Sequence, residues 1–193
     1  MTRITTKEEL RALYGEPMPV AVDKEIGRLD RHCRRFVELS PFVLIATAGD
    51  DGLADVSPKG DAPGFVAVLD DTHLAIPDRK GNRRLDSLLN LLDRPGIGLL
   101  FVVPGIDETL RVNGTAEIHA DPELNQRLSA RGQPALSAIV VTVHEAFIHC
   151  GKSLMRSDLW RDTYRVARAD FPTIGEIIRD QAGDRTLPTD QPT

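Results

Sequence analysis

Cysteine is scarce in this sequence: among 193 residues there are two, Cys33 and Cys150. They lie far apart and outside any Cys-x-x-Cys spacing, which removes a disulfide framework and a zinc ribbon from consideration. The reading they favour is two buried thiols in a reducing compartment. Aromatic residues make up 5%, with a single tryptophan, and none interleaves with a basic run as a base-stacking platform requires. No apolar run approaches the ~20 residues of a membrane helix. The opening segment, residues 1–9, is charged at once and has no apolar signal-peptide core. Positive charge is also in short supply. Lys and Arg number 24 against 29 Asp and Glu, a net charge of -5, so neither nucleic acid nor an anionic membrane is an expected partner, and any basic site must be local. The expectation is a cytoplasmic protein.

Familiar catalytic signatures are missing too. There is no Gly-x-Gly-x-x-Gly, no Walker loop, no Gly-x-Ser-x-Gly elbow and no His-Glu-x-x-His. The five histidines (His32, His73, His119, His144, His149) show no metal-ligand spacing.

What is present is enough for one domain: 41% of the residues are hydrophobic, sufficient for a real core at this length. Thr5 or Thr6 can cap a short helix that ends near Gly15, with Glu8 and Glu9 in its first turn. Ile26, Leu29, Cys33, Phe36 and Val37 recur at helical spacing and predict a second helix from about Asp23 to Leu39.

After Ser40-Pro41 the period shortens to that of strands. Residues 42–47 and 53–57 flank the loop Gly49-Asp50-Asp51-Gly52 and predict a hairpin. Residues 65–69 and 73–76 form another pair about Asp70-Asp71. A helix is expected from about Asn82 to Leu92. The hairpin of residues 97–103 and 108–120 follows, with Gly114 as a bulge. A short helix (122–130) precedes two strands, 138–143 and 146–150, and residues 153–160 turn helical again. Residues 174–178 are amphipathic, and the segment from Leu187 is polar, rich in proline and expected to be flexible. Many short strands with few helices argue for an antiparallel barrel, since parallel units need a helix between each pair.

Three clusters carry the chemistry. In Pro77-Asp78-Arg79-Lys80-Gly81-Asn82-Arg83-Arg84-Leu85-Asp86, four cations crowd the predicted helix start. A helix N-terminus is positive, so cations are disfavoured there unless an anion sits among them. A phosphate would use free N–H groups and guanidinium forks together. The competing reading is a solvated turn with Asp78 and Asp86 as counterions. In Asp55-Val56-Ser57-Pro58-Lys59-Gly60-Asp61, Ser57 offers a hydroxyl and Lys59 a cation at a strand end, beside a bend set by Pro58 and Gly60. A plain polar loop has the same composition. In the third cluster, residues 149–157, a helix would place Lys152, Arg156 and Trp160 on one face, with His149 near Ser153. That face serves equally as an anion site or as a solvated surface, and a lone histidine at a strand end usually makes a structural hydrogen bond.

The runs of residues 40–47, 56–61, 75–87, 108–114 and 146–150, above all Pro77-Asp-Arg-Lys-Gly-Asn-Arg-Arg84, resemble the pyridoxamine 5′-phosphate oxidase-like FMN-binding split-barrel proteins. The likeness is strongest to a bacterial subgroup of flavoproteins and spans about Ile4 to Trp160. It implies a mainly β fold with flanking helices: a Greek-key antiparallel split β-barrel that forms a homodimer with FMN bound across its interface. On this reading residues 1–40 are an N-terminal helical extension, 41–160 the flavin-binding barrel, and 161–193 a C-terminal helical segment and flexible tail. The resemblance places Ser57, Lys59, Arg79, Asn82, Arg83 and Arg84 at the flavin phosphate. Arg111, Lys152 and His149 are further candidates for contact with cofactor or substrate, and no acid, base or nucleophile is assigned. The expected function is FMN-dependent oxidation or reduction of a small molecule. The alternatives are a non-catalytic flavin- or haem-binding or sensing protein and a deazaflavin-dependent reductase, because fold alone does not choose among them.

Overall fold

The computed structural model describes residues 3–183, so the expected flexible tail from Leu187 lies outside the described residues. Helix α1 (Lys7–Tyr14) starts at a capping box: the Thr6 hydroxyl accepts from the Glu9 N–H while the Glu9 carboxylate accepts from the Thr6 N–H. The helix expected from Asp23 to Leu39 is instead two pieces, α2 (Pro19–Asp23) and α3 (Arg31–Leu39). Tertiary contacts override the helical pattern between them. Ile26 exchanges backbone hydrogen bonds with Ala146, and the Leu29 N–H donates to the Asp71 carbonyl. Asp30 then caps α3 by accepting from the His32 and Cys33 N–H groups, and Cys33, Phe36 and Val37 turn inward.

The strands are β1 (Phe42–Ala48), β2 (Ala54–Gly60), β3 (Ala67–Val68), β4 (His73–Asp78), β5 (Gly96–Val102), β6 (Thr109–His119) and β7 (Ser137–His149). They form one antiparallel sheet in the order β2-β1-β5-β6-β7-β4-β3. Helix α4 (Asp86–Asp93) lies against β1 and β6. Helix α5 (Pro122–Arg127) connects β6 to β7, α6 (Lys152–Arg156) follows β7, and α7 (Ile174–Ala182) lies near the C-terminal end of the described chain. The two strands expected over 138–150 are a single one. In it β7 carries the extra residue His144, because Asn113 pairs with Glu145 while the next residue, Gly114, pairs with Val143. The bulge therefore sits opposite Gly114, and a Cβ on Gly114 would collide with the Thr142 carbonyl oxygen.

Alternation along the strands builds the core: Val43 and Ile45 of β1, Leu99 and Phe101 of β5, Leu110 and Val112 of β6, and Ile139 and Val141 of β7 are all buried. A smaller cluster of Ala75, Leu128, Ala135 and Ala138 packs on the other side of β4. The curl of the sheet makes it a split barrel. Edge strand β2 comes round to the end of β4, where Lys59 pairs with Asp78 at 2.7 Å and Arg79 with Asp61 at 3.0 Å. Of the two cysteines, Cys33 is buried as expected, but Cys150 is exposed because it lies just past the end of β7.

Candidate functional site

Strand β2 turns Asp55, Ser57 and Lys59 inward, half-buried, and leaves Ala54, Val56, Pro58 and Gly60 exposed. Successive inward residues are about 6.6 Å apart at the usual strand rise. They form one wall of a cavity of about 530 Å³. The opposite wall is the segment from Asp78 to Ser87, so Ser57, Lys59, Arg79, Asn82, Arg83 and Arg84 all line this one space.

The helix expected to start at Asn82 starts at Asp86 instead. The basic residues therefore stand in a loop ahead of the helix and not in its first turn, which corrects the macrodipole argument for an anion. The cause is local. The Asn82 side-chain oxygen accepts from the Arg84 N–H at 3.1 Å, a turn that competes with helix. Arg83 and Leu85 adopt left-handed backbone, with φ of 64° and 62°, a conformation that stops helix propagation.

Three of the five cations in the cavity already hold carboxylates: Lys59 with Asp78, Arg79 with Asp61, and Arg84 with Asp86. Asp86 raises the Arg84 pKa by its hydrogen bond and its charge, with a smaller push from Asp55. Lys80 and Arg83 make no ion pair among the described residues. Asp78 and Asp86 do serve as counterions, but Asp78 serves Lys59 across the barrel rather than its own turn. The Asp55 Oδ2 atom is buried and has no hydrogen-bond partner.

Exposed Val56 also borders a second cavity, of about 460 Å³. Arg111, Asn113, His149 and Ser153 surround it over an apolar floor that includes Leu44 and Leu100. The Arg111 guanidinium lies 5.2 Å from the Phe147 ring centroid, and His149 Nδ1 is buried without a hydrogen-bond partner. Lys152 is exposed and lines neither cavity. Arg156 shares helix α6 with it, but Trp160 does not: α6 ends at Arg156, and the Trp160 indole N–H donates to the Ile106 carbonyl. Sequence reasoning missed Asn113, which strand alternation places on the same face of β6 as Arg111. Among the described residues no group of three or more His, Cys, Asp or Glu is placed to hold a metal ion, and no helix is long and apolar enough to cross a membrane.

A sheet of this order, with a cation-lined cavity where β2 meets the end of β4, defines the class, and the sequence itself supplies the family. Residues 29–150 match the pyridoxamine 5′-phosphate oxidase family, and the chain belongs to it. No curated protein matches the sequence. Among solved structures the chain is similar to HupZ of Group A Streptococcus. A histidine-to-alanine variant of that protein has a TM-score of 0.52 at 17% identity, covering 63% of this chain and 99% of that one. HupZ without the substitution gives 0.50 at 18%, covering 62% and 92%. An FMN-binding protein from Syntrophomonas wolfei aligns at a TM-score of 0.45 and 9% identity, covering 74% of this chain and 96% of that one.

Proposed function

We propose that this protein is an FMN-dependent oxidoreductase acting on a small molecule as a cytoplasmic homodimer, with residues 41–160 as the cofactor-binding unit between the flanking segments 1–40 and 161–193. The observation that carries the reading is the single cavity joining Ser57, Asn82, Arg83 and Arg84, in which Lys80 and Arg83 have no carboxylate partner among the described residues. A phosphate monoester brings about -1.5 to -2 charges and three acceptor oxygens, which suits those two cations and the Arg83 fork. A polyol chain brings hydroxyl donors, which suit the unpartnered Asp55 Oδ2. The apolar floor on the far side of Val56 suits a flat ring. The residues present therefore fit FMN.

Bound flavin supplies the capacity to accept and return an electron pair, and the chain's own residues bind and orient it. Lys59 and Arg79 act mainly by holding the two walls together, since their charges are engaged by Asp78 and Asp61. Arg111 and His149 stand at the second cavity, where they can contact a ring or a substrate. A second copy of the chain accounts for another feature of this face. Leu89 and Leu92 of α4 stand exposed, as do Leu85, Leu53 and Val56, apolar surface that a two-fold dimer would cover.

The test is the spectrum of purified protein supplied with FMN. A bound-flavin spectrum that bleaches under argon with reduced nicotinamide and returns in air supports the enzyme. Bound flavin that no reductant turns over would make it a binding protein. A Soret band in protein as isolated would replace flavin by haem, and selective uptake of a deazaflavin would make it a deazaflavin reductase.

A further inference from the structure

The N-terminal arm is fixed to its own barrel only at its root. Ile26 exchanges backbone hydrogen bonds with Ala146, and Lys24 Nζ donates to the Ile148 carbonyl at 2.9 Å, so the root runs along β7. Ahead of it every described residue from Arg3 to Glu25 is exposed. Neither α1 nor α2 buries a residue, yet Leu10, Leu13, Tyr14, Met18, Val20 and Val22 are 47–76% exposed. A helix shorter than ~12–15 residues is marginal in water unless its apolar face is packed, and α1 has eight. Its capping box secures only its start.

Leu10, Leu13 and Tyr14 recur at steps of three and four and make one stripe along α1. Lys7 and Arg11 lie along one edge of that stripe. Neither forms an ion pair among the described residues, and Arg11 reaches only the Gly15 carbonyl. Helix α4 carries a matching surface. Leu89 and Leu92 are 53% and 73% exposed, while Ser87 and Leu91 are buried on the barrel side. Asp86 and Asp93 lie along one edge of this second stripe, and Asp93 forms no ion pair among the described residues. Followed from each N-terminus, the charged edge is on the same hand of the stripe in both helices. Two right-handed helices packed face to face and antiparallel bring such edges together. With Leu10 over Leu92 and Leu13 over Leu89, Lys7 and Arg11 both stand within a turn of Asp93.

We propose that the N-terminal arm docks on a second copy of this chain, the α1 stripe of each protomer packing antiparallel on α4 of its partner. The two exchanged contacts close a two-fold dimer. The inference rests on the homodimer of the proposed function and names what covers α4, a surface that α1 of the same chain leaves exposed. The area is sufficient. The six exposed apolar side chains of one arm offer roughly 250–450 Å² by the transfer ratio for burying such groups. With the surface they cover on the partner, two arms hide roughly 1,000–1,800 Å², which overlaps the ~1,200–2,000 Å² of a stable interface. Opposite charges at one edge of the contact set its direction.

Sedimentation velocity of the full chain over a wide concentration range, paired with hydrogen exchange of residues 7–14, tests this. Exchange in α1 should slow as the dimer forms and should be fast in the diluted monomer. Leu13→Glu and Leu92→Glu should each weaken the dimer about a hundredfold, because every dimer holds two copies of the contact. Both leucines are exposed within one chain, and circular dichroism checks that the variants fold. Lys7→Glu and Asp93→Lys should each weaken it severalfold, and the double variant should lose less than the two single changes combined. A chain that stays monomeric at every concentration overturns the homodimer and the arm together. A dimer indifferent to Leu13→Glu overturns the arm alone and leaves the homodimer standing, as does α1 exchange that is equally slow in the monomer. Strictly additive charge changes overturn the pairing of α1 with α4.

Discussion

Lys59 of β2 and Asp78 at the end of β4 form a 2.7 Å ion pair although their strands share no backbone hydrogen bond. The strands stand at the first and sixth places of the sheet order, so the contact exists only because the sheet curls. Both side chains are largely buried, at 27% and 11% exposure. The pair therefore fastens the barrel at the mouth of the candidate cofactor cavity, and the neighbouring Arg79–Asp61 pair repeats the fastening in the opposite sense.

A double-mutant cycle of Lys59→Met and Asp78→Asn should return a coupling of about 0.5–3 kcal/mol in denaturant unfolding. Each single change leaves a buried charge without its partner, so each should cost more than the pair together predicts from independent sites. Additive effects would show that the two charges are independently solvated. Lys59→Ala should also loosen FMN, with a stability loss accompanying it.

Arg83 is the probe of the phosphate itself, because it lies in the cavity with no ion pair among the described residues. Arg83→Ala should weaken FMN ten- to a hundredfold, in line with ~1.5–3 kcal/mol for a charge-assisted hydrogen bond. Riboflavin, which lacks the phosphate, should bind both proteins alike. Fluorescence titration of both ligands reads this directly, and equal losses for the two would place the phosphate elsewhere.

Gly114 should tolerate no side chain. Its Cβ would enter the Thr142 carbonyl across the bulge, and both strands there are tied to neighbours. Gly114→Ala is expected to destabilise the fold by about 3 kcal/mol or more, seen as a lowered denaturant midpoint. A wild-type midpoint would mean that β7 can shift its bulge.

The two thiols should react very differently. Desolvation first, and then Asp30, pushes the Cys33 thiol up to about 12, whereas Cys150 is exposed. A thiol reagent at neutral pH should modify one equivalent in native protein, lost in Cys150→Ser, and a second only after unfolding.

Acid should act partly through Asp70. Its carboxylate accepts from the Thr72 N–H and meets the His73 ring, and these contacts lower its pKa from 3.8 to about 2. A folded-state pKa below the unfolded one contributes stability that is present above about 4 and is lost as pH falls toward about 2. Asp70→Asn should flatten stability against pH across that window, measured by thermal unfolding. An unchanged slope would mean that the contacts persist in the unfolded chain.

Local chemistry was legible in the sequence wherever it was self-sufficient. The Thr6–Glu9 capping box, the alternation of β1 and β5, and the turn between β1 and β2 depend on residues a few positions apart, and the structure has each of them. The residues of the candidate cofactor cavity were legible as clusters for the same reason, Asp55–Lys59 and Arg79–Arg84 each being one continuous run. What failed was the assignment of two helix boundaries, one set by a distant partner and one by a turn inside the loop. Ile26 leaves its expected helix because Ala146 offers backbone hydrogen bonds, and α4 begins late because Asn82 and two left-handed residues hold the loop. By itself the sequence determined which residues are apolar, capped or charged, since those are properties of short segments. Only the tertiary structure decided that Lys59 meets Asp78 and that Arg83 lines the cavity with no ion pair among the described residues. Those facts depend on how far the twisted sheet curls before its edge reaches β4, a sum of many small strand rotations that no single segment specifies.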